Sequence, residues 1–254
     1  MSDGTRRFGG WQAAAGLAHG LALVPGWLLG TERHSEAARR YERRFMERIV
    51  RRLVAKVTVG GAAPAGPGTL YVANHISWLD IAVLGSALDT SFVAKADVRS
   101  WPVIGPLSRR SGTLFVEREA RSRVHHQASQ IEQRLRAGHS LLLFPEGTTS
   151  DGVGILPFRT SLFEAAQHAA CIQPLAIGYH RGDGMRLGDD QLRRIAWIGD
   201  EPLTANLARV SGMHLAAEIR LGETFSPAGS DRKALAQRCR EAVVAAYGEI
   251  RRSS

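Results

Sequence analysis

The chain has 254 residues, 44% of them hydrophobic, which supplies enough apolar material for one large core and excludes an intrinsically disordered chain. Thirty-three Lys and Arg against 24 Asp and Glu leave a net charge of +9, a balance that points to an anionic partner: nucleic acid, an anionic membrane or a phosphorylated substrate. The two cysteines, Cys171 and Cys239, stand far apart in no metal-ligand spacing, which fits a reducing compartment and argues against a disulfide framework.

Residues 8 to 31 carry no Asp, Glu, Lys or Arg, and the run "LAHGLALVPGWLLG" within them is apolar but broken by glycines and Pro25. Length alone would allow a bilayer span. The breaks, Gln12 and His19 weaken a single straight span, and no convincing cleavage site marks a secretory signal. The expected arrangement is an interfacial helical hairpin in the lipid headgroup region followed by a basic amphipathic helix, and the alternative is a core helix plus a solvated charged one. Next comes the most basic segment, Arg33 to Lys56, with nine Lys or Arg and three Glu. Tyr41, Phe45, Ile49 and Leu53 recur there every fourth residue, so an amphipathic helix with an arginine-rich outer face is expected. Residues 1–56 are therefore read as a membrane-associating unit, and residues 57–254 as an α/β domain. A nucleic-acid partner is not expected: zinc-finger spacing, RNA-binding aromatics and a basic region with heptads are all missing.

After the loop-like "GGAAPAGPGT", residues 60 to 69, short apolar runs alternate with longer amphipathic ones. Strands are expected at 53–59, 69–73, 90–94, 113–117, 140–144, 172–178 and 215–221. Helices are expected at 78–88, 121–137, 158–169 and 231–250. This alternation predicts a single α/β domain with a mostly parallel or mixed sheet of about seven strands flanked by helices.

The stretch "NHISWLD" places His75 and Asp80 five residues apart, directly after the apolar run "TLYVA". On one regular helix five steps separate two side chains by roughly 140°, so the pair meets only if His75 lies in the turn and Asp80 in the first helical turn. Ser77 suits an N-cap, with Asp80 at the N3 position of a capping box. Two roles stay open for these residues. Asp80 is a helix cap beside a core histidine, or His75 is a general base whose tautomer Asp80 fixes. Further on, "LLLFPEGTTSDG" runs from a strand into a loop in which Pro145 ends the ladder and Gly147 permits close backbone approach.

Together "NHISWLD", "GTLFVER" (Gly112 to Arg118), "FPEGTTS" and, more loosely, "IQPLAIG" resemble the lysophospholipid acyltransferases, the 1-acylglycerol-3-phosphate acyltransferase family. The blocks appear in the family's order and cover roughly residues 55 to 225. The resemblance implies a glycerol-3-phosphate acyltransferase-like fold and transfer of a fatty acyl group from acyl-CoA or acyl carrier protein to a lysolipid hydroxyl. It implies His75 as base, Asp80 as its orienting partner, and Arg118, Glu146, Gly147, Thr148 and Arg159 at the acceptor. Pro174 would lie on the acyl-chain side. No metal or redox cofactor is implied, because the thioester is already activated. The membrane supplies the lipid substrates, and the cytoplasmic face of the cell membrane is the expected location.

One departure bears on the acceptor. Where the family often has F-K-[KR]-G, this chain reads "FRTS", Phe158 to Ser161, which keeps one base at Arg159 and replaces the second with Thr160. Lysophosphatidate, giving phosphatidic acid, is the first expectation, and lyso-ornithine lipid, with its amino-acid head group, is the alternative. A non-catalytic lipid-binding protein is the more distant one, and a histidine–aspartate pair speaks against it, since a carrier has no use for a base.

Overall fold

A computed structural model describes Pro25 and residues 35–100, 104–116 and 121–253, with the side chains of residues 104 and 121–127 left aside. The expected N-terminal hairpin lies outside these residues, and so does Arg118. The chain order is α1 (Glu36–Leu53), β1 (Val54–Gly61), β2 (Thr69–Ala73), α2 (Trp78–Ala87), β3 (Ser91–Lys95), α3 (Ile104–Ser111), β4 (Leu114–Val116) and α4 (Arg121–Arg136). Then follow β5 (Leu141–Leu143), β6 (Cys171–Arg181), α5 (Asp189–Ile195), α6 (Leu203–Ser211), β7 (Leu215–Leu221) and α7 (Arg232–Arg252).

The seven described strands form one sheet in the order β1-β7-β6-β2-β5-β3-β4. Every neighbouring pair is parallel except β6 with β7, so β7 and β1 run against the other five. The central strands read as unbroken apolar runs, "TLYVA" and "LLL", and are buried along their whole length, as befits a parallel sheet covered on both faces. Val72 of β2 lies in register with Leu143 of β5. The loops that follow these two strands, 74–77 and 144–150, therefore leave the sheet side by side at its carboxyl end, where ligands of α/β sheets bind.

The basic segment does form a helix. Ser35 caps α1 by accepting from the Ala38 amide at 3.1 Å, and exposed Arg40, Arg44, Arg51 and Arg52 stud its outer side. Its inner side, Ala38, Phe45, Met46, Ile49, Val50 and Leu53, belongs to the main core. Gly85 of α2 is what allows this: a Cβ there would fall 2.1 Å from the Met46 sulfur. The expected division at residue 56 is thus not where the packing changes. From Glu36 onward the chain is continuous with the α/β body, and β1 starts at Val54.

The expected helix at 158–169 is instead two single 3₁₀ turns, Thr160–Phe163 and Ala166–His168. Arg159 caps the first without a side-chain hydrogen bond, and Phe163, fully buried, pulls the chain onto the core. The short helices α3, α5 and α6 were not expected from the sequence. Each has nine residues or fewer, too short for a convincing period.

Candidate active site

Asn74 continues β2 beyond its last residue. Its side-chain amide donates to the Ile177 carbonyl at 2.9 Å and accepts from the Ile177 amide at 2.8 Å, replacing a rung of the ladder with β6. His75 follows in the turn. Its Nδ1 lies 2.8 Å from Asp80 Oδ2. The two roles left open by the sequence coincide. Asp80 Oδ2 accepts from the backbone amides of Ile76 (2.6 Å) and Ser77 (2.9 Å), completing the capping box of α2, and holds the imidazole with the same oxygen. Its other oxygen, Oδ1, accepts from the Tyr179 hydroxyl at 2.6 Å. Asp80 is fully buried. Burial, and then the neighbouring Asp80 carboxylate, push the Tyr179 phenol well above its ordinary range, so it stays a donor. A carboxylate fixed by three donors imposes the tautomer with the proton on Nδ1, which leaves Nε2 of His75 as an acceptor. The ring stacks on Phe144 at 4.0 Å, and the side chain keeps 15% exposure.

The second loop is built around Glu146. Its carboxylate accepts from the His75 amide at 2.7 Å and the Leu156 amide at 2.7 Å. Burial pushes its pKa up to about 7, against the lowering effect of those two amides. Ser150 adds two bonds to the His75 carbonyl, from its amide at 2.7 Å and its hydroxyl at 3.1 Å. Glu146 was expected against the acceptor. It is turned inward, almost fully buried, and holds the backbone of His75. Gly147 adopts φ +75°, and a Cβ there would fall 2.6 Å from Nε of Arg159, whose guanidinium lies over the glycine. The Arg159 amide in turn donates to the Pro145 carbonyl at 2.8 Å.

His75, Gly147, Thr148 and Arg159 line one cavity of about 1,180 Å³. This is large enough for the volume of a lipid-sized ligand. Its apolar part runs between α1 and α2, past Phe45, Met46 and Ile49 on one side and Trp78 and Ile81 on the other. Pro174, expected on the acyl-chain side, is elsewhere: it sits in β6 opposite Val72 and receives the Gly222 amide at 2.8 Å. The apolar wall that the sequence did not assign comes from α1, whose inner stripe had been read only as helical spacing. Tyr179 was missed as well; it reaches Asp80 from 99 residues away, and nothing local marks it. Also unassigned was the stretch 197–201. The Trp197 amide donates to the Ile76 carbonyl at 3.1 Å, its carbonyl accepts from the Thr149 hydroxyl, and its indole donates to the Glu201 carbonyl at 2.7 Å. Among the described residues no group of His, Cys, Asp or Glu is arranged to hold a metal ion.

This arrangement can take a proton from a hydroxyl presented at Nε2, beside a long apolar channel. Comparison with known proteins bears on that chemistry. Residues 44–178 match the family described as Acyltransferase. The lyso-ornithine lipid O-acyltransferase of Brucella abortus is 41% identical over 237 residues, 88% of each chain. That of Pseudomonas aeruginosa is 39% identical over 80% of this chain and 77% of its own. The 1-acyl-sn-glycerol-3-phosphate acyltransferase of Neisseria gonorrhoeae is 38% identical over 50% of this chain and 51% of its own. The crystal structure of the 1-acyl-sn-glycerophosphate acyltransferase PlsC from Thermotoga maritima shares the fold, with a TM-score of 0.65 over 92% of this chain and 88% of that one, at 22% identity.

Proposed function

We propose an acceptor and a mechanism for this chain, which belongs to the acyltransferase family and within it to the lysophospholipid acyltransferases. The acceptor is lyso-ornithine lipid, and the donor is an acyl thioester on coenzyme A or acyl carrier protein. The observation that carries the transfer reading is the 2.8 Å contact of His75 with buried Asp80 at the wall of the apolar cavity.

In the proposed reaction Nε2 of His75 takes the proton of the acceptor hydroxyl as its oxygen attacks the thioester carbonyl. Asp80 stabilises the imidazolium that forms. The tetrahedral intermediate then collapses, the carbon–sulfur bond breaks, and the thiolate leaves with the proton returned by His75. The products are an ester and a free thiol. Gly147, Thr148 and Arg159 receive the acceptor's head group, and the channel between α1 and α2 holds an acyl chain and keeps water from the thioester.

Two features support lyso-ornithine lipid over lysophosphatidate, reversing the order drawn from the motifs alone. The relatives named for it align over 68–88% of this chain, while the Neisseria protein named for the phosphate acceptor aligns over half. Thr160 also stands where a phosphate acceptor would benefit from a second base. The exposed arginines of α1, together with residues 1–34, are proposed to dock the enzyme on anionic lipid at the cytoplasmic face, at roughly 1 kcal/mol per well-placed basic residue. No described helix is long and apolar enough to cross a membrane.

The test is a transfer assay of the purified full chain, with acyl-CoA and acyl carrier protein donors, against a panel of lysolipids. Esterified ornithine lipid should be the dominant product. Transfer confined to lysophosphatidate would move the acceptor assignment, and thioester hydrolysis without transfer would sink the transferase reading.

A further inference from the structure

Six acidic or basic side chains besides His75 line the cavity among the described residues: Glu42, Lys95, Asp97, Arg159, Asp200 and Glu201. Four are accounted for. Glu42 is buried in the wall, and burial, partly offset by a hydrogen bond from Ser111, pushes its pKa up to about 8, so it is uncharged at neutral pH. Lys95 pairs with Asp97 at 2.5 Å. Both oxygens of Glu201 engage the Arg209 guanidinium, and one also receives the Asn206 amide. Arg159 and Asp200 remain. Among the described residues neither side chain has an ion-pair or hydrogen-bond partner. One is a cation and the other an anion, and both face the cavity that His75 lines.

Their placement is anchored on both sides. Arg159 hangs from the Pro145 carbonyl and lies over Gly147. Asp200 lies in the turn between Trp197, whose backbone is bonded to Ile76 and to the Thr149 hydroxyl, and Glu201, whose carbonyl accepts from the Trp197 indole, so the stretch that carries it is tied to the same two loops that hold His75. Asn206 stiffens that stretch from below, donating to the Ala196 carbonyl at 2.8 Å and accepting from the Trp78 indole at 2.9 Å. A held site with one positive and one negative group, neither partnered among the described residues, is matched to a ligand with the opposite pair. A phosphate monoester, with nearly two negative charges, would meet Asp200 as a repulsion.

Resting on the acceptor proposed above, we infer that Arg159 and Asp200 form a zwitterion-reading site for an amino-acid head group, with Arg159 on its carboxylate and Asp200 on its side-chain ammonium. Arg159 supplies attraction for either class of acceptor, because a guanidinium suits carboxylate and phosphate alike. Asp200 supplies the discrimination, attractive to the ornithine ammonium and repulsive to a phosphate.

The experiment compares three acceptors in vesicles of one composition with a single thioester donor: lyso-ornithine lipid, the same lipid acetylated on its side-chain nitrogen, and lysophosphatidate. Acetylation should lower the wild-type kcat/KM by roughly three- to tenfold, the modest range expected for an ion pair that keeps some contact with water. Asp200→Asn should use the free and acetylated lipids at nearly equal rates. Asp200→Lys should shift preference toward lysophosphatidate by on the order of tenfold or more. Arg159→Gln should weaken both ornithine lipids together and preserve the ratio between them. Thermal melts of each variant separate these effects from misfolding. If Asp200→Asn keeps the wild-type ratio between free and acetylated lipid, the site is wrong while the acceptor stands. If the wild type transfers to lysophosphatidate and not to lyso-ornithine lipid, the acceptor and the site fall together.

Discussion

The His75 end of the cavity and its rim are built on opposite terms. Around His75 the supporting polar groups are partnered and, among the described residues, only Nε2 of the ring is left open: Asp80 accepts from three donors besides the imidazole, Glu146 bridges two backbone amides, and Ser150 secures the His75 carbonyl. At the rim, Arg159 and Asp200 have no such partners among the described residues, and Thr148 and Asp200 are exposed. A fully satisfied network in a dry setting keeps one geometry, which proton transfer requires. Groups left unpaired at an opening are available to a ligand. On the proposed reading, the chemistry is set by a rigid inner network, and acceptor choice by a few side chains that can change without disturbing it.

The largest way to break this comparison is Asp80→Asn. The helix keeps a capping side chain, but the imidazolium loses its counter-charge, and kcat should fall by about four orders of magnitude, as for the aspartate of a serine-protease triad. Steady-state kinetics alongside a circular dichroism spectrum check it; near-wild-type turnover would reduce Asp80 to a cap.

Second in size is a stability effect in the buried wall. Glu42 and Glu146 have folded pKa values of about 8 and about 7, above the ordinary carboxylate value of 4.5. The native state then binds more protons than the unfolded chain between about pH 4.5 and 8, so these two groups make stability fall as pH rises through that window. Glu42→Gln removes one charge that burial disfavours. It should lie within about 1 kcal/mol of wild type near pH 5 and exceed it at pH 9 by roughly 4 kcal/mol, read from urea denaturation at both pH values. Equal stability at both would place water on Glu42.

Tyr179→Phe deletes one donor to Asp80 without emptying the core. As a positioning change it should lower kcat roughly tenfold with KM little altered, the scale of one hydrogen bond to a charged group. A change in KM alone would assign Tyr179 to substrate instead. The smallest expected effect is next to Arg159, at Thr160. Thr160→Lys should lower transfer to lyso-ornithine lipid a few-fold by crowding its ammonium with like charge, and leave transfer to lysophosphatidate equal or better, measured as kcat/KM for each. Loss for both acceptors would show that the rim is coupled to the inner network.

Much of this was legible in the sequence because it is local. The seven strands announce themselves as short apolar runs, and the His75–Asp80 contact follows from a turn, a Ser77 cap and five residues of spacing. Other features escaped because they are not local. Glu146 reads as a pocket residue in "FPEGTTS", yet the adjacency of β2 and β5 turns it toward the His75 backbone, 71 residues earlier. The helix α1 reads as a membrane element from its arginines, and its buried stripe becomes a cavity wall only once α2 is placed against it at Gly85. The short stretch carrying Asp200 has no pattern of its own; Trp197 and Asn206 hold it through contacts with Ile76, Thr149 and Trp78, all distant in sequence. Arg118, expected at the acceptor, lies outside the described residues.

The most direct measurement of the central claim is acyl transfer by His75→Ala with lyso-ornithine lipid and with lysophosphatidate, on protein shown by circular dichroism to be folded. With His75 as the base for any acceptor, transfer to both should fall together by roughly two to four orders of magnitude. Transfer that survives with either acceptor would contradict the account, because it would place the base outside the network built around Asp80.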